Sequence, residues 1–437
     1  MYIKSLKKCI LKVLKNVYLP RLLDKKIDDY LGTFGAISIE GSKWCGKTWL
    51  SFKHTKSSVF LDDAETFAQA KLDLELILNK ETPELIDEWS LVPKIWDRIR
   101  RKCDEDSTKG KYILTCSTEL NENVKKEIRH SGAGRIGKVR MYTMSLYESK
   151  ESTGDASLSD MLNGTQKNVS LNKIDIKDIA NLVVRGGWPS NIKTKRENAT
   201  SIPKSYIESI LDKDMNDYKK RDKNKMRLLL KSLARNESTI VSNQTIIKDI
   251  DDYEDTDLIE SRITLNDYLD VLNRLHIIEN QEAYSENYRS PQRLGKSPKR
   301  HLTDPSLACA CLDLNADKLL SDLKTFGFMF ESLVARDLRI YIEHLGGHLF
   351  HFRDNVSGLE VDAILEFADG LYAAVEIKLG YDKVEEAKIT LQKFYDNMII
   401  KPQFMCIITS NFNAVVKDPE TGIYILPITA LKLVFTA

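Results

Sequence analysis

Residues 36–52 read AISIEGSKWCGKTWLSF, and their order of residue types sets the fold of the first part of the chain. A short β-type run ends at Glu40. Gly41, Gly46, Lys47 and Thr48 then follow in the spacing GxxxxGKT, and the residues after them suit a helix. The physical reason for the spacing is phosphate. The glycines let backbone N–H groups approach phosphate oxygens, Lys47 reaches the β and γ phosphates, and the Thr48 hydroxyl can ligate Mg²⁺. The stretch Gly41, Ser42, Lys43, Trp44, Cys45, Gly46, Lys47, Thr48 is therefore a candidate ATP-binding loop. The bare pattern arises by chance only about a few times in a hundred chains of this length, and its strand and helix context makes chance a poorer account still.

Such a loop needs a second strand carrying a metal-binding acid. PELIDEW (83–89) supplies one: Asp87 at the strand end is expected to hold Mg²⁺ through water, and Glu88 to polarise an attacking water. Leu85 and Ile86 are a short apolar run for a central strand, and an ordinary acidic turn is the alternative. A third β-type run, KYILTCSTE (111–119), ends in Thr115, Ser117 and Thr118, any of which could sense the γ-phosphate.

Composition bounds the remainder. A chain of 437 residues exceeds one ordinary core and implies two or three domains. Hydrophobic residues at 42% and charged ones at 30% suit a soluble globular protein. The net charge of +1 excludes a global basic field, so any nucleic-acid contact must be local. Seven scattered cysteines lack CxxC pairs, which argues against a disulfide framework or a zinc site and for a reducing cytoplasm. The N-terminal MYIKSLKKCILKVLKNVYLPRLL spreads its lysines through an amphipathic pattern, so a helix is expected there rather than a secretory signal, and no membrane partner is expected.

Read in order, YLPRLLD (18–24), GSKWCGKTW, LIDEW, ILTCST, HSGAGRIGKVRMYTMSLYES (130–149) and GGWP (186–189) resemble the bacterial and archaeal AAA-superfamily ATPases that carry a C-terminal domain of unknown function. The resemblance implies a doubly wound ATPase domain that hydrolyses ATP. It places Arg135 as an arginine finger delivered by a neighbouring subunit, and hence implies a homo-oligomer; a surface or intramolecular salt bridge is the other reading of Arg135. Cys116 stands where that family usually has glycine, and Thr143 where it usually has proline.

Between 204 and 300 the apolar spacing predicts several helices followed by two short strands, a winged-helix-like order with Ser261 to Leu275 in the place of a recognition helix. The preceding DDYEDTD (251–257) would repel a phosphate backbone, and Arg262 and Asn266 are the only obvious readers. A structural or protein-contact role is favoured over reading of DNA sequence.

Near the C-terminus, GLEVDAILEFADGLYAAVEIKLG (358–380) predicts a hairpin with a three-residue loop, Ala368, Asp369 and Gly370. That register sets Asp362 opposite Glu376 and Glu360 opposite Lys378, and leaves Val361, Ala363, Leu365 and Phe367 on a wholly apolar face. Asp362 opposite Glu376 is a like-charge pair that a purely structural hairpin should avoid. An exposed face with cross-strand ion pairs is nonetheless the alternative. With FESLVARDLRIY (330–341) before it, this third resembles the PD-(D/E)xK nuclease fold. The resemblance implies Asp362 and Glu376 as ligands of Mg²⁺ or Mn²⁺, Glu331 as an accessory ligand, and Lys378 as the group that activates water. His344, His348 and His351 are expected to be unrelated, since Gly346 and Gly347 interrupt any helix joining them. Gln392 could orient substrate or be a solvated position.

The expected architecture is thus multidomain α/β: a P-loop AAA-type ATPase domain over 1–200, a helical winged-helix-like domain over 201–300, and a PD-(D/E)xK nuclease-like domain over 301–437. The expected function is ATP hydrolysis that licenses a metal-dependent nuclease module acting on nucleic acid, DNA rather than RNA. The alternative is a nucleotide-switched binding or signalling ATPase whose nuclease-like domain does not cut.

Overall fold

The computed structural model describes residues 18–120, 125–214, 222–254, 262–287, 289 and 297–433. The expected N-terminal amphipathic helix, residues 255–257 of the acidic approach, and the side chains of 251–254 and of Arg262 lie outside the described residues. Cα packing divides the chain into two units, Met1–Thr143 with Val271–Ile277, and Met144–Asp270 with Ile278–Ala437.

The first unit alternates helix and strand: α1 (Leu23–Thr33), β1 (Ala36–Glu40), α2 (Lys47–His54), β2 (Ser57–Phe60), α3 (Ala64–Leu72), β3 (Glu84–Asp87), α4 (Lys94–Glu105), β4 (Tyr112–Cys116) and β5 (Ile136–Arg140). All five strands are parallel, in the order β2-β3-β4-β1-β5. Parallel strands need both faces covered, and the burial fits. Ile37, Ile39, Leu85 and Ile113 point to one core with Ile27 and Leu50, while Ala36, Ile86, Tyr112 and Leu114 point to another with Ile95, Trp96 and Ile99. Leu85 and Ile86 suffice for β3 because both are fully buried, one on each face.

The second unit holds the helices α5 (Ile176–Arg185), α6 (Ser201–Ser209), α7 (Lys223–Arg235), α8 (Asn243–Glu254) and, as far as Asp270, α9 (Arg262–Arg274), together with a mixed sheet. Its strands are β6 (Val169–Ser170), β7 (Ile278–Ala283), β8 (Lys299–Leu302), β9 (His348–Arg353), β10 (Glu360–Glu366), β11 (Tyr372–Lys378), β12 (Phe404–Thr409), β13 (Ala414–Lys417) and β14 (Tyr424–Pro427). They run in the order β6-β13-β14-β12-β11-β10-β9-β7-β8. The helices α10 (Pro305–Cys311) and α11 (Leu323–His344) and, later, α12 (Val384–Asn397) complete the unit. Phe394, Leu391 and Ala387 of α12 pack on Ile364, Tyr372 and Ala374, while α11 packs against β9, β10 and β11.

Two features change the organisation read from sequence. The two short strands expected after the helices are β7 and β8, which pair antiparallel with Ile278 opposite Leu302, but β7 also pairs in parallel with β9. The wing is an extension of the C-terminal sheet. Second, the segment from Met144 onward packs in the second unit. Met144 N–H donates to the Gly187 carbonyl (2.7 Å), Leu146 N–H to Asp337 Oδ2 (2.8 Å) and Trp188 Nε1 to Ser306 Oγ (2.9 Å). A Cβ on Gly187 would lie 2.1 Å from the Met144 carbonyl oxygen, so only glycine fits. Asp304 caps α10 by accepting from Ser306 N–H, with Pro305 at the first helical position. Its other oxygen accepts from Gly187 N–H and from Arg336 Nη1 (3.0 Å). The end of HSGAGRIGKVRMYTMSLYES, GGWP and FESLVARDLRIY therefore meet Asp304 and Ser306 in one buried clasp.

The six described cysteines are free. Among the described residues no helix is long and apolar enough to cross a membrane.

Candidate functional site

The phosphate-type loop links β1 to the N-terminus of α2, where unpaired backbone N–H groups and the helix dipole favour an anion. Gly46 has φ +108°, and a Cβ on Gly41 would lie 2.2 Å from the Met141 carbonyl oxygen, so both glycines are sterically required. Lys47 is nearly buried and donates Nζ to the carbonyls of Gly41 and Ser42, both at 2.9 Å. Arg21, which the sequence reading did not single out, holds the loop from outside: Nη1 donates to the Cys45 carbonyl (2.9 Å), and Nη2 to the carbonyls of Tyr142 and Thr143. Its signal was its place in YLPRLLD. Ser42, Lys43 and Trp44 complete the loop, and Trp44 is half exposed with φ +63°.

At the end of β3, Asp87 Oδ1 accepts from Thr48 Oγ1 (3.0 Å) and Thr115 Oγ1 (2.5 Å). Burial, with the neighbouring Glu88 charge, raises the Asp87 carboxyl above its ordinary value despite those two hydroxyls. Glu88 leaves the strand in the left-handed conformation, φ +55°, and its carboxylate accepts from Ser117 Oγ (2.6 Å) and Ser117 N–H (3.4 Å). Thr115 and Ser117, read as phosphate sensors, serve the two acids in this structure. Thr118 accepts from Cys116 Sγ through its carbonyl.

Arg135 stands at the start of β5, where its carbonyl accepts from Ala36 N–H. It lies at the N-terminal end of the parallel strands, beside Ala36 at the start of β1, whereas the loop follows the C-terminal end of β1. Its Nε donates to Asp104 Oδ1 (2.8 Å), and it is half exposed.

The second constellation lies wholly in the second unit. The hairpin has the expected register: Ala363 pairs with Val375, Glu366 with Tyr372, and Phe367 N–H donates to the Leu371 carbonyl, with Gly370 at φ +82°. A bulge between β9 and β10 sets His351 opposite both Asp362 and Ala363. The Asp362 carbonyl freed by the bulge accepts from Gln281 Nε2 (2.9 Å), which also reaches the Phe350 carbonyl, and His301 Nε2 meets Gln281 Oε1 at 2.8 Å.

Asp362 and Glu376 open into a cavity of about 590 Å³ with Glu360, Lys378, Lys393 and Asp396 around it. Lys378 Nζ lies 2.5 Å from Glu376 Oε2 and 3.5 Å from Asp362 Oδ2, which also accepts from Ile377 N–H (2.9 Å). Behind Asp362, and not lining that cavity, Lys299 is 2% exposed: its Nζ donates to Glu331 Oε1 (2.7 Å) and lies 3.6 Å from Asp362 Oδ1 and 3.8 Å from Glu360 Oε1. Glu331 thus meets Lys299, not the cavity.

Burial pushes Glu376 up, and the Asp362 charge adds to it, to about 8. Burial raises Glu331 to about 7. Burial would also raise Asp362, but the ammonium groups of Lys299 and Lys378 and the Ile377 N–H outweigh it and hold Asp362 below its ordinary value.

Among the described residues no group of three or more His, Cys, Asp or Glu is placed to hold a metal ion, His344, His348 and His351 included. The carboxylate oxygens of Glu331, Asp362 and Glu376 that face this centre meet ammonium groups. As arranged, these residues do not fit a divalent ion. Gln392 is half-buried and donates Nε2 to Asp396 Oδ1 (3.1 Å). In the middle helices, Asn266 accepts from Asn243 Nδ2 (3.2 Å).

Residues 33–150 match the AAA domain family, and with the loop geometry this supports an AAA-type ATPase. Residues 176–318 match a domain of unknown function, DUF8612, and residues 326–431 another, DUF4143. A Walker-type ATPase of Pyrococcus abyssi is similar at 12% identity over 66% of this chain and 94% of that one, with a TM-score of 0.42, a likeness too slight to argue from. No curated protein matches.

Proposed function

We propose that this chain is a Mg²⁺-dependent ATPase whose nucleotide cycle acts on a nuclease-like C-terminal module that meets nucleic acid, DNA rather than RNA. The observation that carries the ATPase reading is the triad Thr48, Asp87 and Thr115 beside Lys47 at the loop: two hydroxyls, one carboxylate and one ammonium, each tied by hydrogen bonds. Thr48 and Asp87 fit the metal of a Mg²⁺-nucleotide, Asp87 through water, and the ion would offset charge on the phosphates. When ATP enters, Lys47 exchanges two carbonyl partners for phosphate oxygens. Backbone N–H groups at the start of α2 receive the anion, and Glu88, oriented by Ser117, takes the proton of the attacking water. Arg135 lies at the end of the strands opposite its own loop, which suits delivery to a second copy in a homo-oligomer.

For the module two readings compete: metal-dependent cleavage at Asp362, Glu376 and Lys378, with Glu331 accessory, or binding without cleavage. The order helix, hairpin, helix, strand supports a PD-(D/E)xK-like fold under both. The ammonium groups on its carboxylates favour the non-cutting reading. An ATPase and nuclease assay of one preparation with Mg²⁺ and with Mn²⁺ tests both proposals. Lys47→Ala should abolish ATP hydrolysis. No cleavage of single-stranded or duplex DNA or RNA should occur in either metal; cleavage by the wild type that Glu376→Ala removes would restore the nuclease reading.

A further inference from the structure

Glu331, Lys299, Asp362, Lys378 and Glu376 form a row in which acid and ammonium alternate, and Lys299, between Glu331 and Asp362, is its buried ammonium. A lysine is almost never this buried unless paired, and this one is 2% exposed. Its partners explain its burial: Glu331 accepts at 2.7 Å, with Asp362 and Glu360 at 3.6 and 3.8 Å. Lys299 arrives on β8, inside the segment matched as 176–318, whereas all the carboxylates lie in the segment matched as 326–431. The strand that carries it is joined to the module through β7 and β9, so its position is fixed by the sheet and not by a loop.

A divalent ion in this cavity needs Asp362 and Glu376 oxygens as ligands. Asp362 Oδ1 faces Lys299; Oδ2 faces Lys378 and the Ile377 N–H; Glu376 Oε2 faces Lys378. Lys378 lines the solvent-filled cavity and is a quarter exposed, so it can swing away from the acids. Lys299 lies behind them with no such exit.

Resting on the non-cutting reading above, we infer that Lys299 is the resident cation of this acidic centre, filling with a fixed ammonium the role of a divalent ion and closing the site to metal. The positive charge that orders Asp362 and Glu331 is covalently part of the chain. The module keeps its acids together without any ion.

The test is Mn²⁺ binding to the full-length chain, read by the electron paramagnetic resonance signal of free Mn²⁺, without nucleotide and with Asp87→Asn present so that the first unit contributes no metal. That parent should retain no Mn²⁺ at the cavity. Adding Lys299→Met, which keeps the length of the side chain and removes its charge, should create one site per chain at least about tenfold tighter than any in the parent. Asp362→Asn should then abolish it. Lys299→Gln serves if the methionine variant does not fold, and thermal melting checks both. A parent that already holds Mn²⁺ in a manner lost with Asp362→Asn would overturn the inference and the non-cutting reading together. A folded Lys299 variant that gains no Mn²⁺ would overturn the inference alone.

Discussion

Replacing Glu88 by glutamine separates nucleotide binding from bond cleavage, and the structure fixes how large the effect should be. The Glu88 carboxylate accepts from both the hydroxyl and the N–H of Ser117. The two bonds go to different oxygens, and a glutamine can keep both contacts only by accepting from Ser117 N–H through its oxygen and donating its amide N–H to Ser117 Oγ, so the side chain keeps its place while losing the ability to take a proton. A positioned base contributes about 10²–10⁴ in rate. With the water still ordered by the amide oxygen, the lower part of that range applies: kcat should fall about 10²–10³-fold, or about 3–4 kcal/mol of transition-state stabilisation. Asp87, which takes the Thr48 and Thr115 hydroxyls, is untouched, so affinity for Mg²⁺-ATP should change by less than about twofold, on the order of 0.4 kcal/mol. Single-turnover hydrolysis with enzyme in excess gives the rate, and a fluorescent ATP analogue gives the affinity. Asp87→Asn is the comparator and should lose both. Hydrolysis by Glu88→Gln within tenfold of the wild type, or an affinity loss as large as the rate loss, would refute the division of labour between the two acids.

Other outcomes follow from single contacts. Arg135→Ala should leave the melting temperature unchanged, because its Asp104 partner is exposed, yet lower ATP turnover and remove any dependence of specific activity on protein concentration. Arg336→Met should destabilise the second unit by about 3–5 kcal/mol in thermal or urea unfolding, since it strands Asp304 and Asp337 in a buried site. Glu237 is buried, and burial pushes it up to about 8 from an ordinary 4.5, against donation from Leu302 N–H and the Ser332 hydroxyl. A carboxyl raised on folding binds more protons folded than unfolded between those values, so its contribution to stability falls as pH rises through that window. Urea midpoints at pH 6 and pH 8 should therefore differ more for the wild type than for Glu237→Gln.

The nucleotide loop and the hairpin were legible because their chemistry is local. GxxxxGKT needs its glycines and lysine at fixed separations along one turn, and a three-residue loop ending in Gly370 dictates every cross-strand partner in the hairpin. Lys299, in PKRHLTD (298–304), carries no signal of a role in its own sequence neighbourhood. Nothing near it announces that β7 will pair in parallel with β9, because parallel partners are joined through long connections with no turn to set their register. The same blindness hid Gln281, whose task depends on a bulge between two strands distant from it. Thr115 and Ser117 were seen as polar strand-end residues, but their partners, Asp87 and Glu88, become neighbours only once β3 and β4 lie side by side. The resemblance of HSGAGRIGKVRMYTMSLYES to one family suggested one domain, whereas the carbonyl of Gly187 and the carboxylate of Asp337 draw its last six residues, from Met144, into the other unit.

The rungs joining β7 to β9, Phe350 with Glu282 and His351 with Ala283, also bear on how such a chain can be inherited. A recombination that exchanged residues 326–431 alone would deliver β9 without its neighbour, Asp362 without the amide of Gln281, and Glu331 without a counter-ion. The exchangeable piece is larger than either matched segment suggests: it must begin no later than Ile278 and carry Lys299 with it.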